Sequence, residues 1–166
     1  MKDLVVRIVK VGIAEKSIFE SLVSLYLHDL SEYTNDLDIN SQGNFEYNGL
    51  HLYWEREELI PFFILLEEKV VGFVLLNQSP FIPAGFDYGI NELFVLRKFR
   101  GKDIAKMAVK ELFSMYKGTY YIVQLTKNQP AVNFWRRLYK NLNLKVDYIE
   151  KTVDGEPCNL QKVSVQ

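Results

Sequence analysis

The sequence predicts one α/β domain over residues 1–166, of mixed α+β type: a mostly antiparallel sheet of about six to seven strands flanked by about four helices. Three observations predict it. Two apolar runs, Phe62 to Leu66 and Val70 to Leu76, are separated only by Glu67-Glu68-Lys69 and read as a hairpin of buried strands. Two later segments repeat apolar residues at helical spacing, each directly after a strand-like run. The last segment carries a second hairpin pattern around the turn Asp154-Gly155.

Taken in order, Leu4 to Val11 is rich in β-branched residues and reads as a strand. Ile18, Leu22, Leu25, Tyr26, Leu30 and Tyr33 then recur at helical spacing. Thr34 to Asn48 is polar and reads as a loop or a broken short helix. The hairpin follows, then a loop marked by Pro80 and Pro83, then a strand from Tyr88 to Leu96. Lys102 to Tyr116 is a helix with Ile104, Ala105, Ala108, Val109 and Leu112 on one face, and Gly118 fits its stop. Tyr120 to Leu125 is a short buried strand. A last helix starts near Asn128, with Pro130 tolerated in its first turn and Ala131, Phe134, Trp135, Leu138 and Tyr139 along a stripe. Strands at about Leu144 to Val153 and Cys158 to Val165 complete the order.

Bulk properties bound the function. Apolar residues make up 48% and charged residues 25%, the balance of an ordinary soluble protein. A net charge of -1 disfavours a nucleic-acid partner. No segment is apolar for long enough to span a membrane, and the opening MKDLVVRIVKVG alternates where a leader would run apolar. The lone Cys158 rules out an internal disulfide and reads as a small buried side chain. A cytoplasmic location is expected. His28 and His51 have no spaced Cys or carboxylate partners, so no metal is expected, and each reads as a surface or capping residue.

The chemistry lies in Asn91 to Ala105, NELFVLRKFRGKDIA. An apolar strand runs into a basic turn that opens a helix. Unpaired N–H groups and the positive dipole end make such a start a phosphate site. Arg100, Gly101 and Lys102 stand there, and Gly101 permits close backbone approach. Charge is also divided along the chain. From Arg97 to Lys140 the only acids are Asp103 and Glu111, whereas Ser17 to Glu55 contains no Lys or Arg. Such a division suits a polyanion on one side and a cation on the other, or simply two solvated surfaces.

These residues resemble the GNAT superfamily of N-acetyltransferases. Leu93, Phe94 and Val95 match the strand end of its signature, Arg100, Ile104 and Ala105 its loop and helix start, and Asn128, Ala131 and Phe134 a later pattern on the last helix. The resemblance implies acetyl-CoA as co-substrate and a sheet splayed between the strand at Glu92 and the strand at Tyr121. It implies that N–H groups from Gly101 through Lys102, Asp103 and Ile104 to Ala105 hold the pyrophosphate. Main-chain groups near Phe94 and Val95 would pair with the pantetheine arm, and Asn128 would bond it from the other side. Asp103 stands where the family carries Gly, and Trp135 where it often carries a proton-donating Tyr. An indole is no useful acid, which leaves Tyr139, one turn on, as the substitute donor or a core aromatic.

A primary amine has a pKa of about 10.4 and must lose a proton before it attacks a thioester. Glu92, within the apolar run INELFVL, is the candidate base; otherwise it faces solvent or pairs with an arginine. The acceptor is expected to be a small cationic amine met by Tyr26, Asp29, Glu32 and Tyr33 in the acidic segment up to Glu46. The alternatives are a non-catalytic CoA-binding module and transfer to a protein or peptide amine. A homodimer is compatible with either.

Overall fold

A computed structural model describes residues 3–166; Met1 and Lys2, which begin the stretch read against a leader, lie outside the described residues. The strands are β1 Val6–Lys10, β2 Leu59–Leu66, β3 Lys69–Asn77, β4 Tyr88–Val95, β5 Gly118–Leu125, β6 Lys145–Val153 and β7 Glu156–Val165. The helices are α1 Lys16–Leu30, α2 Ile104–Met115 and α3 Gln129–Asn141. All seven strands form one sheet in the order β1-β2-β3-β4-β5-β7-β6. Every pairing is antiparallel except β4 with β5. Among the described residues no helix is long and apolar enough to cross a membrane.

Among the described residues the expected strand count holds, but three α-helices replace the expected four. Thr34 to Asn48 does not fold into a further helix; it holds an isolated bridge between Ile39 and Phe45, and short 3-10 turns at Ile13–Glu15, Leu50–Trp54 and Arg97–Phe99 supply the other helical backbone. The polar side chains explain this: Asn40 accepts the N–H groups of Gln42 and Asn44, which a helix would need. In the β2–β3 hairpin Glu67 and Glu68 both take positive φ, 47° and 70°. That is the turn geometry whose twist matches paired strands.

The two sheet faces carry separate cores. One joins β1 to β4 with α1 through Phe19, Leu22, Val23, Leu27, Phe63, Phe73 and Phe94. The other covers the opposite face with α2 and α3 through Ile104, Leu112, Tyr120, Trp135 and Leu138. The expected stripe on α1 is rotated. Ile18 and Leu25 are exposed, and Phe19 and Val23 take their places. α1 offers apolar residues on two adjacent stripes, and the aromatic edge contacts of Phe19 with Trp54, Phe63 and Phe73 select one.

Candidate active site

β4 and β5 pair only from Tyr88↔Tyr120 to Ile90↔Ile122. Past that point they part, and the gap opens into a cavity of about 820 Å³. Leu75 faces Glu92 and Leu76 faces Ile90, so Asn91 is an extra residue in β4. A bulge of this kind re-aims the neighbouring side chains. It sits where the strands begin to separate.

Alternate residues of an antiparallel strand turn their main-chain groups toward and away from the neighbour. Leu96 donates its N–H to the Val71 carbonyl, which places Phe94 toward β3 and turns Leu93 and Val95 into the gap. The Val95 carbonyl accepts from Arg100 Nε at 2.7 Å. The Leu93 N–H and carbonyl and the Val95 N–H therefore face the cleft. Of the two strand residues expected there, Val95 is in place. The main chain of Phe94 belongs to the β3 ladder and its ring to the core beside Tyr26. Counting alternation along the strand would have selected Leu93.

The start of α2 forms the second wall. Gly101 takes φ 74° with nothing within 4 Å of where a Cβ would stand. Asp103 takes φ 59°, a left-handed conformation that Asp adopts more readily than most residues. The first helical bond runs from the Met107 N–H to the Asp103 carbonyl, so the N–H groups of Gly101, Lys102, Asp103, Ile104 and Ala105 find no acceptor among the described residues. The Asp103 carboxylate pairs with Lys106 at 3.1 Å, which offsets its charge at the helix start. Lys102 does not line the cavity; its ammonium lies 5.9 Å from the Phe99 ring.

Arg100 is already engaged. Besides Val95 it donates to Asp29 Oδ2, and Arg97 donates to Asp29 Oδ1 at 2.7 Å. Burial raises the Asp29 carboxyl pKa, but the hydrogen bonds from Arg100 and Arg97 outweigh it and hold it below the usual range. Asp29 thus ties α1 to the loop before α2. The sequence predicted it as a contact for a cationic substrate; two arginines occupy it instead, because α1 ends beside that loop.

Glu92 lies where β4 leaves β5. Part of its surface stays open to the cleft, but its carboxylate sits beneath two phenols. Tyr26 donates to Oε2 and Tyr47 to Oε1 at 3.2 Å, while Asn91 donates its amide N–H to the Tyr47 oxygen. Burial pushes the carboxyl up, the hydrogen bonds from Tyr26 and Tyr47 pull it back, and it stands at about 7. Burial, then the Glu92 charge, raises both phenols, so they stay protonated donors. Among the described residues Glu92 pairs with no arginine, and its open surface faces the cleft. Tyr47 was not foreseen in this role, because it lies 45 residues from Glu92 in a loop with no periodic pattern.

The remaining candidates divide. Asn128 caps α3, accepting the Ala131 N–H at 3.2 Å, and also lines the cavity, as does Trp135. Tyr139 does not reach it. Its ring stacks on Trp135 and its buried hydroxyl donates to Gln161 Oε1 at 3.0 Å, within a reciprocal amide pair of Gln124 and Gln161. One turn beyond Trp135, the helix has carried it into the core, so the structure offers no route for Tyr139 to protonate a group in the cleft. Tyr26, Glu32 and Tyr33 line the cavity. Asp36 from the following loop and Asp154 and Glu156 from the β6–β7 turn join them. The β6–β7 residues were not foreseen, since more than 110 residues of chain separate them from α1.

The site fits acetyl-CoA. Five consecutive free N–H groups at a helix start suit a pyrophosphate, and an unpaired strand edge suits the amides of a pantetheine arm. Residues 19–139 match the model of the acetyltransferase (GNAT) family. None of the curated proteins matches the chain. Among solved structures it is similar to an acetyltransferase from Thermus thermophilus, with TM-score 0.72 and 13% identity over 98% of this chain and 99% of that one. It is also similar to yncA from Salmonella typhimurium, described with its cofactor acetyl-CoA, with TM-score 0.65 and 12% identity over 97% and 94%. The ribosomal-protein-S18-alanine N-acetyltransferase of Escherichia coli aligns with TM-score 0.59 and 10% identity over 98% and 95%. The family match covers well over half the chain, and the splayed sheet with its free helix start is what such a match requires: the chain belongs to the acetyltransferase (GNAT) family.

Proposed function

We propose that this protein transfers an acetyl group from acetyl-CoA to a small cationic primary amine, with Glu92 receiving the amine's proton. The observation that carries the reading is the Glu92 carboxylate itself, held by the Tyr26 and Tyr47 phenols at the point where the sheet opens; burial there pushes its pKa up to about 7. When bound, acetyl-CoA supplies an acyl thioester for attack by the amine. The chain's own residues do the rest. Free N–H groups from Gly101 to Ala105 hold phosphate, and Leu93 and Val95 orient the arm through main-chain bonds. A base at about 7 is ionised in a large fraction of molecules at neutral pH, yet is basic enough to take a proton from an ammonium in contact with it.

Arg100 supports this arrangement by fixing the Val95 carbonyl and the loop to α1. Arg100→Ala is expected to weaken acetyl-CoA binding by about 1–3 kcal/mol, read by calorimetric titration. Unchanged affinity would show that the cradle stands without that tie.

The cationic acceptor rests on the remaining acids of the cleft. Asp29 is neutralised by arginines and Glu156 pairs with Lys127 at 3.2 Å, which leaves Glu32, Asp36 and Asp154 beside Tyr26 and Tyr33. Carboxylates and aromatic faces together attract an ammonium group. The test is acetyl-CoA turnover across cationic, neutral and anionic amines, followed by a salt series on the best one. Its Michaelis constant should rise with ionic strength, as the Debye length shrinks from about 10 Å at 0.1 M to about 3 Å at 1 M. A neutral or anionic best substrate, or a constant indifferent to salt, refutes the acidic acceptor wall. Binding of acetyl-CoA without turnover of any amine or peptide would make the protein a CoA-binding module.

A further inference from the structure

Asn91 and Glu92 are neighbours in β4, and neighbours in a regular strand point to opposite faces. Here both side chains reach one atom. The Asn91 amide donates to the Tyr47 hydroxyl oxygen, and that hydroxyl donates to Glu92 Oε1 at 3.2 Å. The extra residue between the pairs Leu75↔Glu92 and Leu76↔Ile90 makes this possible, because a bulge breaks the alternation. Asn91 is itself exposed, yet its amide is held on a phenol 44 residues away in the chain. We propose that Asn91 is a positioning residue: by donating to the Tyr47 oxygen it directs the single proton of that phenol onto Glu92. The proposal rests on Glu92 as the base of the reaction.

A phenol has one proton to donate, and its oxygen can accept in other directions. An N–H aimed at the Tyr47 oxygen leaves the proton to point elsewhere, and the acceptor within reach is Glu92 Oε1. Tyr26 donates to Oε2, so donors meet both carboxylate oxygens. Donors aimed at a carboxylate favour its charged form and oppose the burial that pushes Glu92 up to about 7. Without the Asn91 amide the Tyr47 hydroxyl is free to rotate, and Glu92 keeps its proton to higher pH. The other groups around Glu92 leave this control to the phenols. β3 sets the apolar Leu75 opposite it, and on α1 Asp29 is neutralised by Arg97 and Arg100. Beside Tyr47, Glu46 is exposed and accepts from Asn40, while the Tyr53 phenol donates to Asn77 at 2.7 Å. Asn91 thus holds a larger share of the molecules with an ionised base at neutral pH.

The test follows Glu92 itself, by carbon-13 NMR of its side-chain carboxyl in the full chain labelled at glutamate, the signal being assigned by its loss in Glu92→Gln. Titrated without any substrate, Asn91→Leu should move the Glu92 midpoint to higher pH, with proton affinity raised about threefold or more. Asn91→Ala, which adds no apolar bulk at this exposed position, should do the same. Tyr47→Phe should move the midpoint at least as far, and adding Asn91→Leu to Tyr47→Phe should move it no further, because Asn91 acts through that hydroxyl. The pH limb of kcat/KM for the amine should follow each midpoint. A midpoint that neither Asn91 variant moves, or a further shift when Asn91→Leu is added to Tyr47→Phe, overturns the proposal. Midpoints that move as expected while the pH limb ignores them uphold the action of Asn91 on Glu92 and refute Glu92 as the base.

Discussion

Glu92→Gln should lower the turnover number by about 10²-fold at neutral pH, because it keeps the shape of the side chain and removes the proton acceptor. One of the Tyr26 and Tyr47 hydroxyls can still donate to the amide oxygen and the other can accept from the amide N–H, so the loop and α1 stay in place. The pH profile separates chemistry from positioning. In the wild-type enzyme the rate should rise as Glu92 loses its proton near pH 7. In the variant that limb should vanish, and the residual rate should climb only as the amine itself deprotonates, toward a pKa of about 10.4. An equal loss at every pH would mean that Glu92 only positions its neighbours.

The same substitution has a stability consequence of opposite sign. The Glu92 carboxyl stands at about 7 in the fold against its usual value of 4.5, so the folded protein binds this proton more tightly than the unfolded chain. Wild-type stability is therefore lost as pH rises from about 4.5 through about 7. At about 1.4 kcal/mol for each tenfold change in proton affinity, the loss approaches about 3 kcal/mol at pH 8. Glu92→Gln should be more stable than wild type by up to that amount at pH 8 and should lose the advantage below about pH 4.5, read by urea unfolding at several pH values. Such an inverse relation is expected where a charge is held in a buried place for function.

Gly72→Ala should be among the most damaging single methyl additions in the molecule. A Cβ at Gly72 would stand 2.0 Å from the Phe94 carbonyl oxygen and 3.0 Å from its carbon, so β4 must move. Gly72 pairs with Val95 on one side and with Ile64 on the other, beside the irregularity between Ile64 and Leu65. No flexible side chain can give way, since the contacts are backbone. Destabilisation of about 3 kcal/mol or more is expected, with a fall in Tm of about 6–12 °C for a domain of this size. Any folded fraction should bind acetyl-CoA poorly, because Phe94 lies between the main-chain groups of Leu93 and Val95. An unchanged Tm would mean that β3 and β4 separate at little cost.

The sequence reading placed most elements to within a few residues, including both hairpins and the strand–turn–helix of the cofactor side. Those features are local: alternation, helical spacing, the Gly101 turn and the Asn128 cap all act within a few residues of one another. The stripe on α1 was rotated because Ile18 and Phe19 are both apolar, and nothing nearby says which of them meets Phe63 and Phe73. Tyr139 misled for a related reason. Its spacing from Trp135 is right for a shared helix face, but the sheet beyond it offers Gln161 and no cleft.

From the sequence alone follow the mixed sheet, the basic turn that opens a helix, and Glu92 as the acid in an apolar strand. Short-range backbone preferences and residue chemistry suffice for each of these. Only the tertiary structure decided how Glu92 is poised, for its two phenols come from α1 and from the loop before Leu50, 66 and 45 residues away. Only the tertiary structure assigned Asp29 to Arg97 and Arg100, which neutralise it within the cavity lining, and brought Asp154 in from the far hairpin. The physical reason is common to all three. Burial, hydrogen bonding and charge pairing depend on distance in space, and a pattern along the chain records which groups are present without recording which of them meet.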